Sequence, residues 1–522
     1  MSASPEARSA LLTQALAWHG WPWDARLAWA RDVRLDPSEV DTEVVPSGEA
    51  RAWRTLVDPD GAGTFERRLA WAGLDHRRVE QLLHDPDVPN HTDHAWMPAL
   101  ERLRAACRSF TEHAIPPDSD LDPLVWLTTV ERAWCEDPAS ADRMRATPFA
   151  HLLWPIVQSE WVALEALSAD ANVTARARDD LRLLLLERLA TLFAAALHAA
   201  CSRDRRPGVQ LMLELGVMPD AGASPPVQYA AFCQSSLGDG LTALLTEFPV
   251  MGRLLATACQ QWSAQCAELL ARLRRDRPAM AVRFGCAADA PVARCVGGLS
   301  DPHHGGRTVV ILTFAAQSPD PRVAGVRVVY KPKDLRLEQA AQAVVAEVCA
   351  ELPGPSPLDV RIMVGDGYGY VAFVDHVPCT SAEELVAFYR QAGRLLAVLH
   401  VLGATDCHFE NLIAHRHTLV LIDAETLFDG AVHRFDTDDD TRRETAGDGA
   451  DDPLASSVLR TMLLPCWRGV DRQVLDVSAL GVRMPPAVAH SPGWRYINTD
   501  DMVCAFASVQ QPPLPSLPVP GG

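Results

Sequence analysis

Positive charge is in short supply in this chain. Against 67 Asp and Glu there are 48 Lys and Arg, a formal net charge of -19 at pH 7. A nucleic-acid binder needs a basic footprint over the phosphates, so nucleic acid is not expected as a partner, although a local basic pocket remains compatible with this balance. No apolar h-region follows the N-terminal residues 1–8, and no secretory signal is expected. The most apolar stretch, residues 189–201, is too short for a bilayer, which needs about 20 residues; it reads as a buried core helix, and no membrane span is expected. The thirteen cysteines form no CxxC pair and no zinc-ribbon spacing. Reduced thiols in a cytoplasmic protein fit best. There is no fixed-period repeat, so a helical solenoid is not indicated. What the chain does have is 48% apolar residues over 522 positions, enough for a sizeable core and about two to four domains.

Residues 1–275 are read as mainly helical, with apolar residues recurring at three and four, as in Leu181-Arg-Leu-Leu-Leu-Leu-Glu-Arg-Leu. Prolines break this region near Pro116, Pro207 and Pro225. Its tryptophans, among them Trp18, Trp21, Trp23, Trp29, Trp53 and Trp71, read as core packing, and the region by itself offers no chemistry. From about residue 295 the texture changes. Strands are expected at 307–314 and 326–331, joined as a hairpin, with Pro332 ending the second. A helix over 335–352, a strand over 368–374, a helix opened by the capping box Ser381-Ala-Glu-Glu384 and a strand over 419–422 follow. That order is α+β with two lobes: a small sheet lobe over 276–376 and a larger, mostly helical lobe over 377–505. Residues 436–452 read as a solvated acidic loop, and 506–522 as a Pro-rich tail.

The chemistry-bearing residues fall in the second half. Asp406 and Asn411 stand five apart in a loop between a helix and a strand, the spacing of a protein-kinase catalytic loop, in which the Asp orients the substrate hydroxyl and the Asn binds metal. Asp423 follows twelve residues after Asn411, at the end of an apolar run, where a kinase keeps its main Mg²⁺ carboxylate; Glu425 is close enough to join it. Lys331 ends a strand upstream, as a phosphate-binding strand lysine does. A glycine-rich turn, Gly297 to Arg307, precedes the first expected strand, and its Gly305 and Gly306 would let backbone N–H groups approach phosphate, with Arg307 beside them. Any one of these is a weak signal. Together, in this order and spacing, they point to an ATP-using site with Mg²⁺.

At the same residues the chain resembles the dehydratase domain of class II, LanM-type, lanthipeptide synthetases. The resemblance is carried by Asp301-Pro-His-His-Gly-Gly-Arg-Thr-Val309, Val329-Tyr-Lys-Pro332, Thr405-Asp-Cys-His-Phe-Glu-Asn411, Ile422-Asp-Ala-Glu-Thr-Leu427, Ser457-Val-Leu-Arg-Thr-Met-Leu-Leu-Pro465 and Ile497-Asn-Thr-Asp500. It covers roughly residues 295–500 and implies a lipid-kinase-like bilobal core, preceded by a helical region with kinase-activation and leader-binding elements. It also implies a two-step reaction on a leader-bearing precursor peptide: ATP phosphorylates a Ser or Thr, and the phosphate is then eliminated to leave dehydroalanine or dehydrobutyrine. Under it Lys331 would hold ATP phosphates, Asp406 would take or orient the hydroxyl proton with His408 assisting, Asn411 and Asp423 would hold Mg²⁺, and Asp301 and His303 would serve elimination.

Three departures are expected. Ala424 stands where the family usually has Leu. The family's later elimination motif, R-x-x-x-R-x-T, is not expected before the chain ends, so elimination would be impaired unless a C-terminal dehydratase segment is supplied in trans. No cyclase signature occurs, so ring closure would belong to a separate cyclase. Two rival readings share the same residues: a small-molecule hydroxyl kinase, and an inactive paralogue that binds peptide without turnover. The Asp301-x-His303 turn with Val329-Tyr-Lys-Pro332 favours the dehydratase over the first, and the intact Lys331, Asp406, Asn411 and Asp423 favour it over the second.

Overall fold

The computed structural model describes residues 94–114, 122–135, 137–205, 226–303, 305–316, 325–354, 356–428 and 457–465, with shorter pieces within 54–71 and 467–518. The acidic loop expected at 436–452, most of the Pro-rich tail, and Trp18, Trp21, Trp23, Trp29 and Trp53 lie outside the described residues; Trp71 is exposed. The helices that organise the first half are α1 (Met97–Ala114), α2 (Pro123–Arg132), α3 (Ala150–Trp161), α4 (Ala175–Cys201), α5 (Val227–Gly238) and α6 (Pro249–Phe284). The second half contributes β1 (Val292–Val296), β2 (Val310–Phe314), β3 (Arg327–Lys331), α7 (Arg336–Ala350), β4 (Ile362–Val364), β5 (Gly369–Ala372), α8 (Ala382–Val401), β6 (Leu412–His415) and β7 (Thr418–Leu421).

Two compact units result, and their division differs from the expected boundary near 275. One comprises residues 1–163, 185–264 and 496–503; the other comprises 164–184, 265–495 and 504–522. The two expected lobes, 276–376 and 377–505, therefore fall largely within a single unit. Residues 164–184 join it because they close the free edge of β1. Thr174 N–H donates to Val292 O at 3.0 Å, Val292 N–H donates to Asn172 O at 3.0 Å, and the buried Asp180 accepts two bonds from Arg294 and one from Cys295 N–H.

In the first unit α5 packs on α1, α2 and α3, burying Trp126, Trp154, Phe149 and Tyr229. The stretch Ile497-Asn-Thr-Asp500 belongs here, and its role is structural. Asn498 Oδ1 accepts from Phe149 N–H at 2.7 Å and from Tyr229 OH at 3.0 Å, while its amide nitrogen donates to Arg145 O and Thr147 O. Phe149 sits at φ 57, a left-handed conformation costly for an L residue, and Asn498 fastens it. Pro226 caps α5 without a side-chain bond; Asp500 supplies it, accepting from Gln228 N–H at 3.1 Å and Tyr229 N–H at 2.7 Å. His151 is buried between Tyr229 OH at 3.1 Å and Glu131 at 3.2 Å, and burial pushes its imidazole below the usual histidine range despite the carboxylate.

The apolar helix expected over 189–201 is longer than its apolar core: α4 runs 27 residues, and it is the one helix among the described residues long and apolar enough to cross a membrane. Leu181, Leu185, Leu186, Leu189 and Leu197 along it are buried within the protein, which is the packing of a core helix.

The second unit is built on an antiparallel five-stranded sheet of order β1-β2-β3-β5-β4. The expected hairpin is β2–β3, shortened at its start because 307–309 belong to the preceding turn. Among the described residues seven strands were not anticipated: β1, β4, β6 and, later, Trp467–Val470, Gln473–Asp476, Ala489–Arg495 and Val503–Val509. β1, β4 and β6 are three to five residues long, too brief for a period-two pattern to show, and the four later strands correct the expectation of a mostly helical larger lobe. β6 and β7 form a separate hairpin. Its buried leucines and Ala414 pack with Phe388, Leu395 and Leu399 of α8, while Val420 turns to Ile362, Val371 and Leu335. The capping box at Ser381 forms with one change. Ser381 Oγ accepts from Glu384 N–H, but Glu384 reaches back to Thr380 N–H at 2.7 Å, one residue earlier than the usual partner.

Candidate functional site

Sheet register decides which sequence-distant residues share one end of the sheet. β2 and β3 pair with Val310 opposite Tyr330, and β3 pairs with β5 with Lys331 opposite Gly369. The β1–β2 connection that contains Asp301, His303, Gly305, Gly306 and Arg307 therefore enters β2 at the end where β3 finishes with Lys331. Pro332 cannot donate to a ladder, so the strand stops there and α7 begins at Arg336.

That stop places two lysines against one carboxylate. Lys331 is buried, and its ammonium donates to both Glu338 oxygens at 3.1 Å and to Ile422 O. Its three N–H bonds are thus all engaged. Lys333 Nζ lies 3.1 Å from Glu338 Oε1, 2.8 Å from Asp423 Oδ1 and 2.6 Å from Glu425 Oε1. Burial works against the Lys333 charge, but the carboxylates of Glu338, Asp423 and Glu425 outweigh it and hold its pKa well above the usual lysine range. Asp423 is the reciprocal case: burial alone would raise it, and the ammoniums of Lys333 and Lys331 hold it below the ordinary carboxylate range.

Residues 405–411 reach the same place through the backbone. α8 ends in a Schellman turn, with Gly403 at φ 65 and Ala404 N–H on Leu399 O at 2.8 Å, which releases the chain into 405–411. Asp406 sits at φ 58. Its neighbours hold it there: Cys407 is buried with its N–H on Thr461 O at 2.9 Å, and Asn411 Nδ2 donates to Asp406 O at 2.9 Å. The Asp406 carboxylate itself is exposed, 3.6 Å from His408 Nε2. Glu410 N–H donates to His408 Nδ1 at 3.2 Å and the Asn411 amide nitrogen lies 3.3 Å from His408 Nε2, so both ring nitrogens face donors. Ile422 N–H donates to Asn411 O at 2.9 Å, so the loop and the Asp423 segment are hydrogen-bonded neighbours.

Lys331, Asp423, Glu425, Asn411, Asp406 and His408 are thus linked through Ile422 and its flanks. The turn over 301–307 is held separately. His303 and Arg307 exchange backbone bonds at 2.9 and 2.8 Å, closing a tight turn through Gly305 (φ 83) and Gly306 (φ 87), positions that favour glycine on backbone grounds alone. Arg307 Nε donates to Glu268 of α6 at 3.1 Å and Arg307 Nη2 makes a second bond to the same carboxylate, holding Glu268 below its usual range. Arg307 is therefore committed to a carboxylate. Asp301 and His303 are exposed beside it.

Glu338 and Lys333 were missed in the sequence. The signal was available: a Glu in the first turn of the helix that follows the strand lysine, and a second lysine across Pro332. The R-x-x-x-R frame was also overlooked. It is present as Arg468-Gly-Val-Asp-Arg472-Gln-Val474, with Val474 at the position of the family's Thr. Arg472 lies outside the described residues, and the backbone of 467–470 pairs with 473–476 as a hairpin.

Against known families, residues 248–522 match the model of a domain of unknown function, DUF4135. The chain belongs to that family. It is a LanM-type lanthipeptide synthetase-related protein. Over 104 residues it is 36% identical to the lacticin 481/lactococcin biosynthesis protein LcnDR2 of Lactococcus lactis subsp. lactis, a match covering 20% of this chain and 11% of that protein.

Proposed function

We propose that this DUF4135 chain acts in lanthipeptide biosynthesis as an ATP-dependent dehydratase, on a lipid-kinase-like core, in the cytoplasm. The observation that carries the proposal is the Lys331–Glu338 ion pair hydrogen-bonded at Ile422 to the segment bearing Asp423, which is itself bonded to the Asp406–Asn411 loop. A strand lysine paired to a helix glutamate, beside a hydroxyl-orienting Asp and a metal carboxylate, is the set that phosphoryl transfer requires.

The donor set fits Mg²⁺. Asp423, Glu425 and the Asn411 amide oxygen are hard oxygen donors, and the Asn411 amide nitrogen is occupied by Asp406 O, which turns its oxygen away from that carbonyl. Among the described residues no three His, Cys, Asp or Glu side chains could hold a metal by themselves. An ion held by Asp423, Glu425 and Asn411 would be completed by substrate phosphates and water. Bound there, Mg²⁺ would neutralise phosphate charge. Lys331 would orient the phosphates. The Ser or Thr oxygen attacks the γ-phosphorus, the bond to the β-bridging oxygen breaks, and the hydroxyl proton passes to Asp406, with His408 steadying that carboxylate. In the second step the α-proton is removed, the Cβ–O bond breaks, phosphate leaves and a Cα=Cβ bond forms; Asp301 and His303 are the candidates for that step.

Intact-mass spectra of a leader-bearing, Ser/Thr-rich peptide incubated with ATP and Mg²⁺ test the proposal. Phosphate gain or water loss is expected, both abolished in Lys331→Met. His303→Ala is expected to keep phosphorylation and slow water loss, and Val474→Thr to speed it. An unmodified peptide together with turnover of small hydroxylated molecules would reassign the site to a small-molecule kinase.

A further inference from the structure

Lys333 is the one member of the cluster that the reaction as described leaves unused, and its position is specific. Its ammonium lies 2.8 Å from Asp423 and 2.6 Å from Glu425, bridging the two carboxylates that the metal would need. Lys331 differs. It is buried, and its three donors are taken by Glu338 and Ile422 O, so it is fixed in place. Lys333 donates to Asp423 and Glu425 and lies against Glu338, so its tip is held by side-chain carboxylates; its side chain is partly exposed and the Glu425 carboxyl is half exposed, so both can turn outward without opening the core.

We infer that Lys333 is a tethered counter-ion that occupies the metal-binding carboxylates until a nucleotide arrives, so that divalent metal and nucleotide load together. The inference rests on the proposed nucleotide site. With Lys331 and Lys333 against Glu338, Asp423 and Glu425, the cluster carries one net negative charge, a poor trap for a free divalent ion. Incoming phosphates offer Lys333 an alternative partner of equal sign and greater charge. As its ammonium turns to them, Asp423 and Glu425 are released to the ion that the nucleotide brings. Such a device would keep free divalent ions from freezing the site in a nucleotide-free state.

The full chain can be titrated with Mn²⁺ as the probe, following the free-ion electron paramagnetic resonance signal with and without a non-hydrolysable ATP analogue. Wild type is expected to bind Mn²⁺ weakly alone and tightly with the analogue. Lys333→Met is expected to bind Mn²⁺ alone at least ~10-fold more tightly than wild type, since a cation in direct contact with both ligands has gone. Lys333→Arg should remain weak. If Lys333→Met does not fold because its three carboxylates repel, Lys333→Met combined with Glu338→Gln restores the charge balance and should show the same gain. Unchanged or weaker Mn²⁺ binding in the folded Lys333→Met variants overturns the inference while leaving the nucleotide site intact. Absence of Mn²⁺ binding by wild type even with the analogue overturns the inference and the nucleotide site together.

Discussion

Glu338 is the residue on which the site most depends, and Glu338→Gln isolates its charge from its shape. The carboxylate is buried, accepts from Lys331 at 3.1 Å through both oxygens and is ion-paired with Lys333 at 3.1 Å. At this separation each ammonium contributes attraction on the order of 5 kcal/mol at an effective dielectric of ~20, most of it offset by the cost of burying the charges. Deleting one partner of a buried pair typically costs about 3–5 kcal/mol. Here Lys331 keeps Ile422 O, and Lys333 keeps Asp423 and Glu425, so the expected loss of stability is smaller, about 1–3 kcal/mol. The amide can accept one bond, but its NH₂ turns a second contact into donor facing donor, and Lys331 loses its fixed position. Phosphotransfer should then fall by about 10²–10³-fold. Urea unfolding gives the first quantity and the initial rate of phosphopeptide formation the second. A variant destabilised as expected but transferring phosphate at the wild-type rate would show that Glu338 only packs the fold; one unchanged in both would refute the reasoning entirely.

Three further outcomes are expected. Asp406→Gly places glycine at φ 58 and should raise stability by up to ~1 kcal/mol while lowering phosphotransfer at least ~10²-fold; a less stable variant would show that the side chain, not the backbone, holds the loop. Asn498→Ala leaves Phe149 N–H and the carbonyls of Arg145 and Thr147 without their partner and should cost about 2–4 kcal/mol in urea unfolding; a cost near zero would remove Asn498 as the fastening of that turn. His151 is held neutral by burial, so its folded pKa lies below its unfolded value of about 6.5. The unfolded chain takes up a proton first, and stability should be lost as pH falls below about 6.5 toward the lowered folded value. Urea midpoints between about pH 8 and 5 in wild type and His151→Asn test this, the variant showing the flatter profile.

The sequence by itself determined the elements and residue types of the site. Lys331 before Pro332, Asp406 and Asn411 five apart, and Asp423 after an apolar strand are local facts, because strand ends, loop spacings and caps are written in short stretches of chain. The glycine pair at 305–306 was equally legible, although its left-handed turn explains it without phosphate. Which groups meet was decided only by tertiary structure. Glu338 faces Lys331 because β3 stops at Pro332 and α7 turns back beside it. Arg307 goes to Glu268 because α6 runs past the β1–β2 turn. The short strands β1, β4 and β6 exist only through their partners, too brief to declare a period alone. Residues 164–184 left the helical half because an open edge at β1 needed hydrogen bonds. Ile497-Asn-Thr-Asp500 sits among helices because Phe149 and the bare N-terminus of α5 need the acceptors that Asn498 and Asp500 carry. Long-range pairing obeys unsatisfied polar groups and opposite charges, and a linear reading does not show where those groups will stand.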